Sequence, residues 1–316
     1  MNRHRTALSA LLSAGALVAG VLTGATPSIA ADTPTSFRQQ HTQGFWTAER
    51  MRAAAPLDIT AAPGAARTPV ATSAAPTNIA PTAASASPTA FPQAGGAWTG
   101  GGAVVKTSGR VFFTMGNRTA SCSGDSITSA NGSTVITAGH CVKYQGAWHT
   151  NWVFVPAYNN GSAPYGQWSA TKTFATDQWA ASEDMNMDVG LAVVAPLNGQ
   201  TLSQVVGAQG VLFNGGYNKK MYSFGFPAAS PYDGTKLVYC SGNSGKDFLL
   251  TKDHSLACNM TGGSSGGPWF QDFNEATGLG TQVSVNSFGY TFLPNRMYGP
   301  YFGNEAKAAY DKAQTA

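Results

Sequence analysis

The stretch Gly262-Gly263-Ser264-Ser265-Gly266-Gly267-Pro268 sets a serine among glycines and leads straight into Trp269-Phe270. Upstream, in this order, stand Thr137-Ala138-Gly139-His140-Cys141 and Met187-Asp188-Val189-Gly190-Leu191. Together they supply the three groups that nucleophilic serine chemistry needs. A serine hydroxyl is a weak nucleophile at neutral pH, so His140 has to take its proton during attack and return it to the leaving group. Asp188 would accept the other ring N–H, fix the tautomer and stabilise the imidazolium. Glycines around Ser265 let backbone N–H groups turn toward a developing oxyanion without a clashing Cβ, and Gly263 and Ser265 are the expected donors. Taken singly each string is weak: His140 reads as a turn residue, Asp188 as the opening of a strand, Ser265 as part of a Gly/Ser loop. A floppy linker seldom runs directly into an aromatic strand, and the three strings occur jointly.

In this order the blocks resemble the signature of the chymotrypsin-fold (trypsin-like) serine proteases. Nucleophile-elbow hydrolases run Ser, acid, His and subtilisin-type enzymes Asp, His, Ser, so chain order selects the fold. The resemblance spans residues 98–302 and implies an all-β protein of two six-stranded antiparallel β-barrels with the site in the cleft between them. It implies peptide-bond hydrolysis through an acyl-enzyme, with protein or peptide substrates and no metal or organic cofactor, calcium being left open. One departure is informative: animal enzymes carry an aspartate just before the nucleophile, where this chain has Ser264. The run Thr261 to Gly266 is instead similar to the bacterial glutamyl endopeptidase branch.

The same resemblance puts the primary specificity pocket between Asn259 to Gly262 and the strand Asn286-Ser287-Phe288-Gly289, with Met260 and Phe288 bounding it. Asn259 stands where a trypsin-type pocket has aspartate, which argues against Lys or Arg because a desolvated cation needs an opposite charge. Asn286 stands where the glutamyl branch has histidine, so strict Glu specificity is not expected either. A neutral pocket for medium-sized apolar or uncharged polar side chains remains. Ser287 resembles the serine that supports the catalytic aspartate, its other reading being an ordinary strand residue, and the 287–289 backbone would pair with an extended substrate. His149 and His254 read as exposed loop residues, His254 lying in a charged turn beside Lys252 and Asp253.

The rest of the 316 residues frames this reading. Residues 1–30 have a signal-peptide pattern, with Arg3 and Arg5, an apolar stretch over 7–24 and Ser28-Ile29-Ala30 as a cleavage site; an uncleaved membrane anchor is the alternative. Residues 31–93, rich in Ala, Pro and Thr, read as a largely disordered leader or stalk, with a short helix over 45–55. The protease-like domain is expected over 94–316: first barrel 98–200, second 201–302, C-terminal helix 303–316. Only 11% of residues are charged and the formal net charge is +4, which with no basic block beside aromatics implies neither nucleic acid nor a stable membrane surface. The 37 glycines and low charge fit a secreted, turn-rich β-protein, and a monomer is expected.

Four cysteines in an exported chain imply two disulfides, and of three possible pairings Cys122 with Cys141 and Cys240 with Cys258 is favoured. The first would tie the strand before the histidine loop to the loop itself, and closing a loop of this size contributes on the order of 3 kcal/mol. A zinc site lacks Cys-x-x-Cys or paired His spacing. Short β-rich runs at 110–115, 134–137, 151–156, 189–194, 221–226, 236–241, 248–250, 268–273 and 281–287 are punctuated by Gly, Asn and Pro. Residues 304–314 read as a helix with Ala306, Tyr310 and Ala313 on one face, packed outside the second barrel. Two other readings stand beside the peptidase: an esterase with the same triad, and a catalytically silent protease-like adhesion protein.

Overall fold

In the computed structural model, residues 35–61, 74–81 and 90–316 are described; the signal-peptide expectation for 1–30 lies outside them. Six strands close the first barrel in an antiparallel ring: Ser108–Met115, Arg118–Ile127, Thr134–Thr137, Gly190–Val194, Trp168–Ala175 and Thr150–Pro156, which pairs back to the first. Successive side chains of a strand face opposite ways, so Val111 and Phe113 fill the barrel while Phe112 between them points into a second core. Trp152 and Phe154 alternate with Val153 and Val155 in the same manner. That second core joins Phe112, Val153 and Val155 to Tyr222, Phe224 and Phe270, so the outer face of one barrel is buried against the other half of the chain. Continuous burial along these strands follows from both faces being covered.

The second half is built on Lys220–Gly225, paired with Val238–Asn243 on one side and Pro268–Asn274 on the other, the latter followed by Leu279–Val285. His254–Ala257 and Leu293–Gly299 pair separately. Two seams complete this barrel without a strand ladder. The Cys240–Cys258 disulfide crosses one, and hydrogen bonds from Ser287 N to Tyr298 O (2.9 Å) and Ser284 Oγ to Pro300 O (2.8 Å) cross the other. Between the halves, Leu202–Val206 forms a short helix with a Thr201/Gln204 capping box. The buried Gln209 amide then donates to Thr107 Oγ1 and Gly278 O and accepts from Gly280 N. It ties the first barrel's edge to the second.

Several expectations are revised. The C-terminal helix, Asn304–Ala313, buries Ala306, Ala309, Tyr310 and Ala313, but it docks on the first barrel. Tyr310 donates to Thr128 O (2.7 Å) and packs tilted against Phe213, and the Asn131 amide caps Ala313 O. Residues 248–250 are no strand: the Asp247 carboxylate accepts from Leu249 N and Thr251 N, turning the chain and leaving Phe248 exposed. Within the stretch read as leader or stalk, residues 35–61 and 74–81 carry short elements of secondary structure. Ser36–Arg38 joins Trp168–Ala175, Ala48–Ala53 is helical with Thr47 as N-cap, and Thr77–Ile79 joins Gly210–Phe213. Low average hydrophobicity over 53–92 hid the anchors Leu57 and Ile59, which with Trp46 and Met51 just before that stretch are buried against the protease-like body.

Inside the first barrel Asp125 is fully buried and accepts from Ser108 Oγ (3.0 Å); burial pushes its carboxyl up to about 8. It is therefore protonated in the folded state at pH 7 and ionised in the unfolded chain. A raised folded-state value contributes stability that is full below about pH 4 and lost as pH rises through 8. In a Ser265→Ala background, Asp125→Asn should gain stability relative to the parent by several kcal/mol between pH 4 and 9, measured by urea unfolding. A difference that stays flat with pH contradicts this.

Candidate active site

His140 sits on the single turn of 3-10 helix Gly139–Cys141 that ends Thr134–Thr137, and the Cys122–Cys141 disulfide pins that turn to the neighbouring strand. The Asp188 carboxylate holds it from the other side. Oδ1 accepts the His140 backbone N–H (2.7 Å) and Oδ2 accepts Nδ1–H (2.7 Å). The Nδ1–H tautomer follows, because an ionised carboxylate can only accept. Ser287 Oγ, from the second half, donates to the same Oδ2 at 2.5 Å. His140, Asp188 and Ser287 are all buried, and Trp179 and Tyr144 stand about the imidazole with centroids 6.3 and 6.4 Å away. Among the described residues His140 Nε2 has no hydrogen-bond partner.

Ser265 lies on a loop that only glycine permits. Gly263 has φ +92° and Gly266 φ +80°, and a Cβ on Gly266 would come within 2.1 Å of Thr137 Oγ1 and 2.4 Å of Ser123 O. That close approach seats the serine loop on Thr137-Ala138, directly before His140. Ser123 N donates to Ser265 O (2.7 Å), and Ser123 Oγ to Gly263 O (2.9 Å). The structure thus joins His140 to Asp188, seats the serine loop against Thr137 and Ala138 just before the histidine turn, and makes no hydrogen bond between His140 and Ser265. Instead, Ser265 Oγ is 3.5 Å from Leu57 O, a carbonyl that also accepts from Gly263 N (2.9 Å).

The pocket residues divide. Asn259, Met260 and Gly289 line a cavity of about 410 Å³ together with Thr261, Gly262 and Asp58. Asn259 Oδ1 accepts from Tyr232 OH (2.6 Å), a partner the sequence did not suggest. Asn286 and Phe288 do not line it. Asn286 is fully buried with its amide saturated: Oδ1 accepts from Ser223 Oγ and Trp269 Nε1, and Nδ2 donates to Phe224 O and Ser264 O. Its backbone bonds both Gly266 and Gly267, so it is the bracket beneath the serine loop. Phe288 is buried, stacked on Tyr298 at 5.1 Å. Strand alternation explains this. Residue 287 reaches Asp188, and 288 turns into the core.

His149 and His254 are buried, contrary to expectation. His149 stacks on Phe113 at 4.4 Å and donates from Nε2 to His140 O (2.9 Å); His254 lies between Tyr217 and Tyr301. Burial pushes both imidazoles down to about 4, so they stay neutral near pH 7. Cys122, His140 and Cys141 bring ligand-type atoms within 4.8 Å of one another. Both sulfurs are spent in the disulfide, leaving no thiolate to bind metal.

No protein-family model matches this chain. Its fold matches the protease Anisep from Arthrobacter nicotinovorans, 47% identical, over 67% of this chain and 96% of that one, with a TM-score of 0.63. It also matches the thermostable serine protease AL20 from an extremophilic microorganism, 40% identical, over 68% and 99%, with a TM-score of 0.64. A Glu endopeptidase structure, 14% identical over 72% and 99% with a TM-score of 0.57, shares the fold alone. Among curated proteins, an extracellular metalloprotease of Bacillus subtilis (strain 168) is 41% identical over 61 residues, 19% of this chain. The chain spans about a fifth of that relative's length, 20%. With near-complete coverage of the protease Anisep and the serine protease AL20 at 40% identity or more, a disulfide-pinned histidine turn and two barrels packed together, this chain belongs to the chymotrypsin-fold family of serine proteases.

Proposed function

We propose that the protein is an exported serine endopeptidase with His140, Asp188 and Ser265 as its catalytic triad. The observation that carries this is the grip of Asp188 on both the backbone and the ring of His140, which leaves Nε2 as the free base beside the serine loop. In acylation, Ser265 Oγ attacks the peptide carbonyl while Nε2 takes its proton. The C–N bond then breaks, and Nε2 returns the proton to the leaving amine. Water repeats the sequence in deacylation, with the acyl–oxygen bond to Ser265 broken and the hydroxyl restored.

The N–H of Gly263 supports the oxyanion role, since it already donates to a peptide carbonyl, that of Leu57. Ser265 N–H is the proposed second donor. Ser287 holds Asp188 Oδ2 from the second barrel and so makes the carboxylate's position depend on both halves. Asn259, Met260 and Gly289 bound a pocket that Arg296 also lines, and the 287–289 backbone, where Phe288 and Gly289 pair with Ile59 and Thr60, is the proposed strand edge for substrate. Two disulfides and bacterial protease relatives point to an extracellular setting, with the 1–30 segment as the export signal. Among the described residues no helix is long and apolar enough to cross a membrane.

Ser265→Ala should lower peptide hydrolysis by at least about 10⁴-fold with unchanged near-UV circular dichroism; a variant that still cleaves at the parental rate contradicts the assignment. Asn286→Ala should lower kcat while leaving the side-chain preference on a peptide library as in the parent. A changed preference would return Asn286 to the pocket wall.

A further inference from the structure

The cleft is occupied by the chain's own leader. Ala55–Pro56 runs parallel to Ala120 and Ser121 of the first barrel, and Leu57 N donates to Ser121 O (2.9 Å). Two residues on, Ile59–Ala61 runs parallel to Phe288–Tyr290 of the second barrel. Leu57, Ile59 and Ala61 are buried in the large core cluster, while Asp58 and Thr60 alternate outward. The segment therefore bridges both halves directly over the serine loop. Its Leu57 carbonyl takes the Gly263 N–H, and the Ser265 hydroxyl points to the same oxygen.

We infer that leader residues 55–61 are a built-in ligand of the cleft lying in it with reversed chain polarity, which blocks substrate and leaves the Leu57–Asp58 bond uncut. This rests on the serine endopeptidase reading above. In a productive complex one residue supplies both the attacked carbonyl and the side chain at the pocket, because that carbonyl follows its own Cα. Here the two functions fall on different residues. The carbonyl at Gly263 N belongs to Leu57, whereas the side chain against Gly262 at the cavity belongs to the next residue, Asp58. The pocket side thus holds the would-be leaving amine, and the acyl side lies along Ser121.

The consequences for chemistry are direct. Attack would require the Ser265 proton to pass to His140 Nε2, yet the hydroxyl is turned to the Leu57 oxygen and Nε2 has no partner. Were the C–N bond broken, the Asp58 amine would stay fixed by the pairing of 59–61 with 288–290, poised to reattack the acyl-enzyme and restore the peptide.

The purified full-length chain tests this with a fluorophosphonate probe, labelling mapped to Ser265 by peptide mass spectrometry. Ile59→Asp puts a charge into a site that is 4% exposed, and Leu57→Pro removes the N–H held by Ser121 O. The expected result is tenfold or faster labelling of both variants than of the parent, with matching far-UV circular dichroism and an intact Leu57–Asp58 bond in the parent. Labelling of the parent as fast as both variants overturns the ligand role while the serine reading stands. Cleavage at Leu57–Asp58 that disappears in Ser265→Ala overturns the reversed polarity. No labelling of Ser265 in any of the three overturns the serine reading and this inference with it.

Discussion

The carboxylate of Asp188 is the constraint on which the site depends. It is buried, and a buried carboxylate is tolerable only when its lone pairs are used. Three donors meet it: the His140 amide, the His140 ring and the Ser287 hydroxyl. Two of these belong to the histidine turn of the first barrel, and the third crosses from the second. Docking of the halves is therefore written into the electrostatics of one side chain, and the imidazole tautomer is fixed as a by-product.

The serine loop is held by a different logic, close approach. Gly266 fits against Thr137 and Ser123 because it has no Cβ, and the Asn286 amide satisfies four partners beneath the loop. Such saturated buried networks specify one geometry, since any partial version leaves orphaned polar groups. Phe112, Val153 and Val155, facing out of the first barrel, supply the apolar contact that keeps this network dry and aligned with the second.

Much of this was legible in the residue order. His140, Asp188 and Ser265 stand in blocks whose sequence selects the fold, and Val, Phe and Trp runs mark most strands by period. What was not legible has physical reasons. Strand alternation hides whether Asn286 or Ser287 faces the site until the register is known, and the two point to different tasks. Tyr310 and its helix dock on the first barrel because Thr128 O waits there, with Phe213 of the following half closing over the ring, a non-local match no window of sequence displays. In the 31–93 stretch the composition conceals its anchors: Trp46, Met51, Leu57 and Ile59 are few among Ala and Pro, but each has a socket in the folded body. His254, flanked by Asp253 and Ser255, and His149, between Trp148 and Thr150, gave no sign that distant aromatic rings would bury them.

The central claim is that Asp188 fixes His140 with its proton on Nδ1 and its lone pair on Nε2. Nitrogen-15 NMR of the histidine-labelled full-length Ser265→Ala chain at pH 8 reads this tautomer directly. The account predicts a protonated Nδ1 and an unprotonated Nε2 for His140, with the pattern lost in Asp188→Asn. A His140 ring that carries its proton on Nε2 would contradict it.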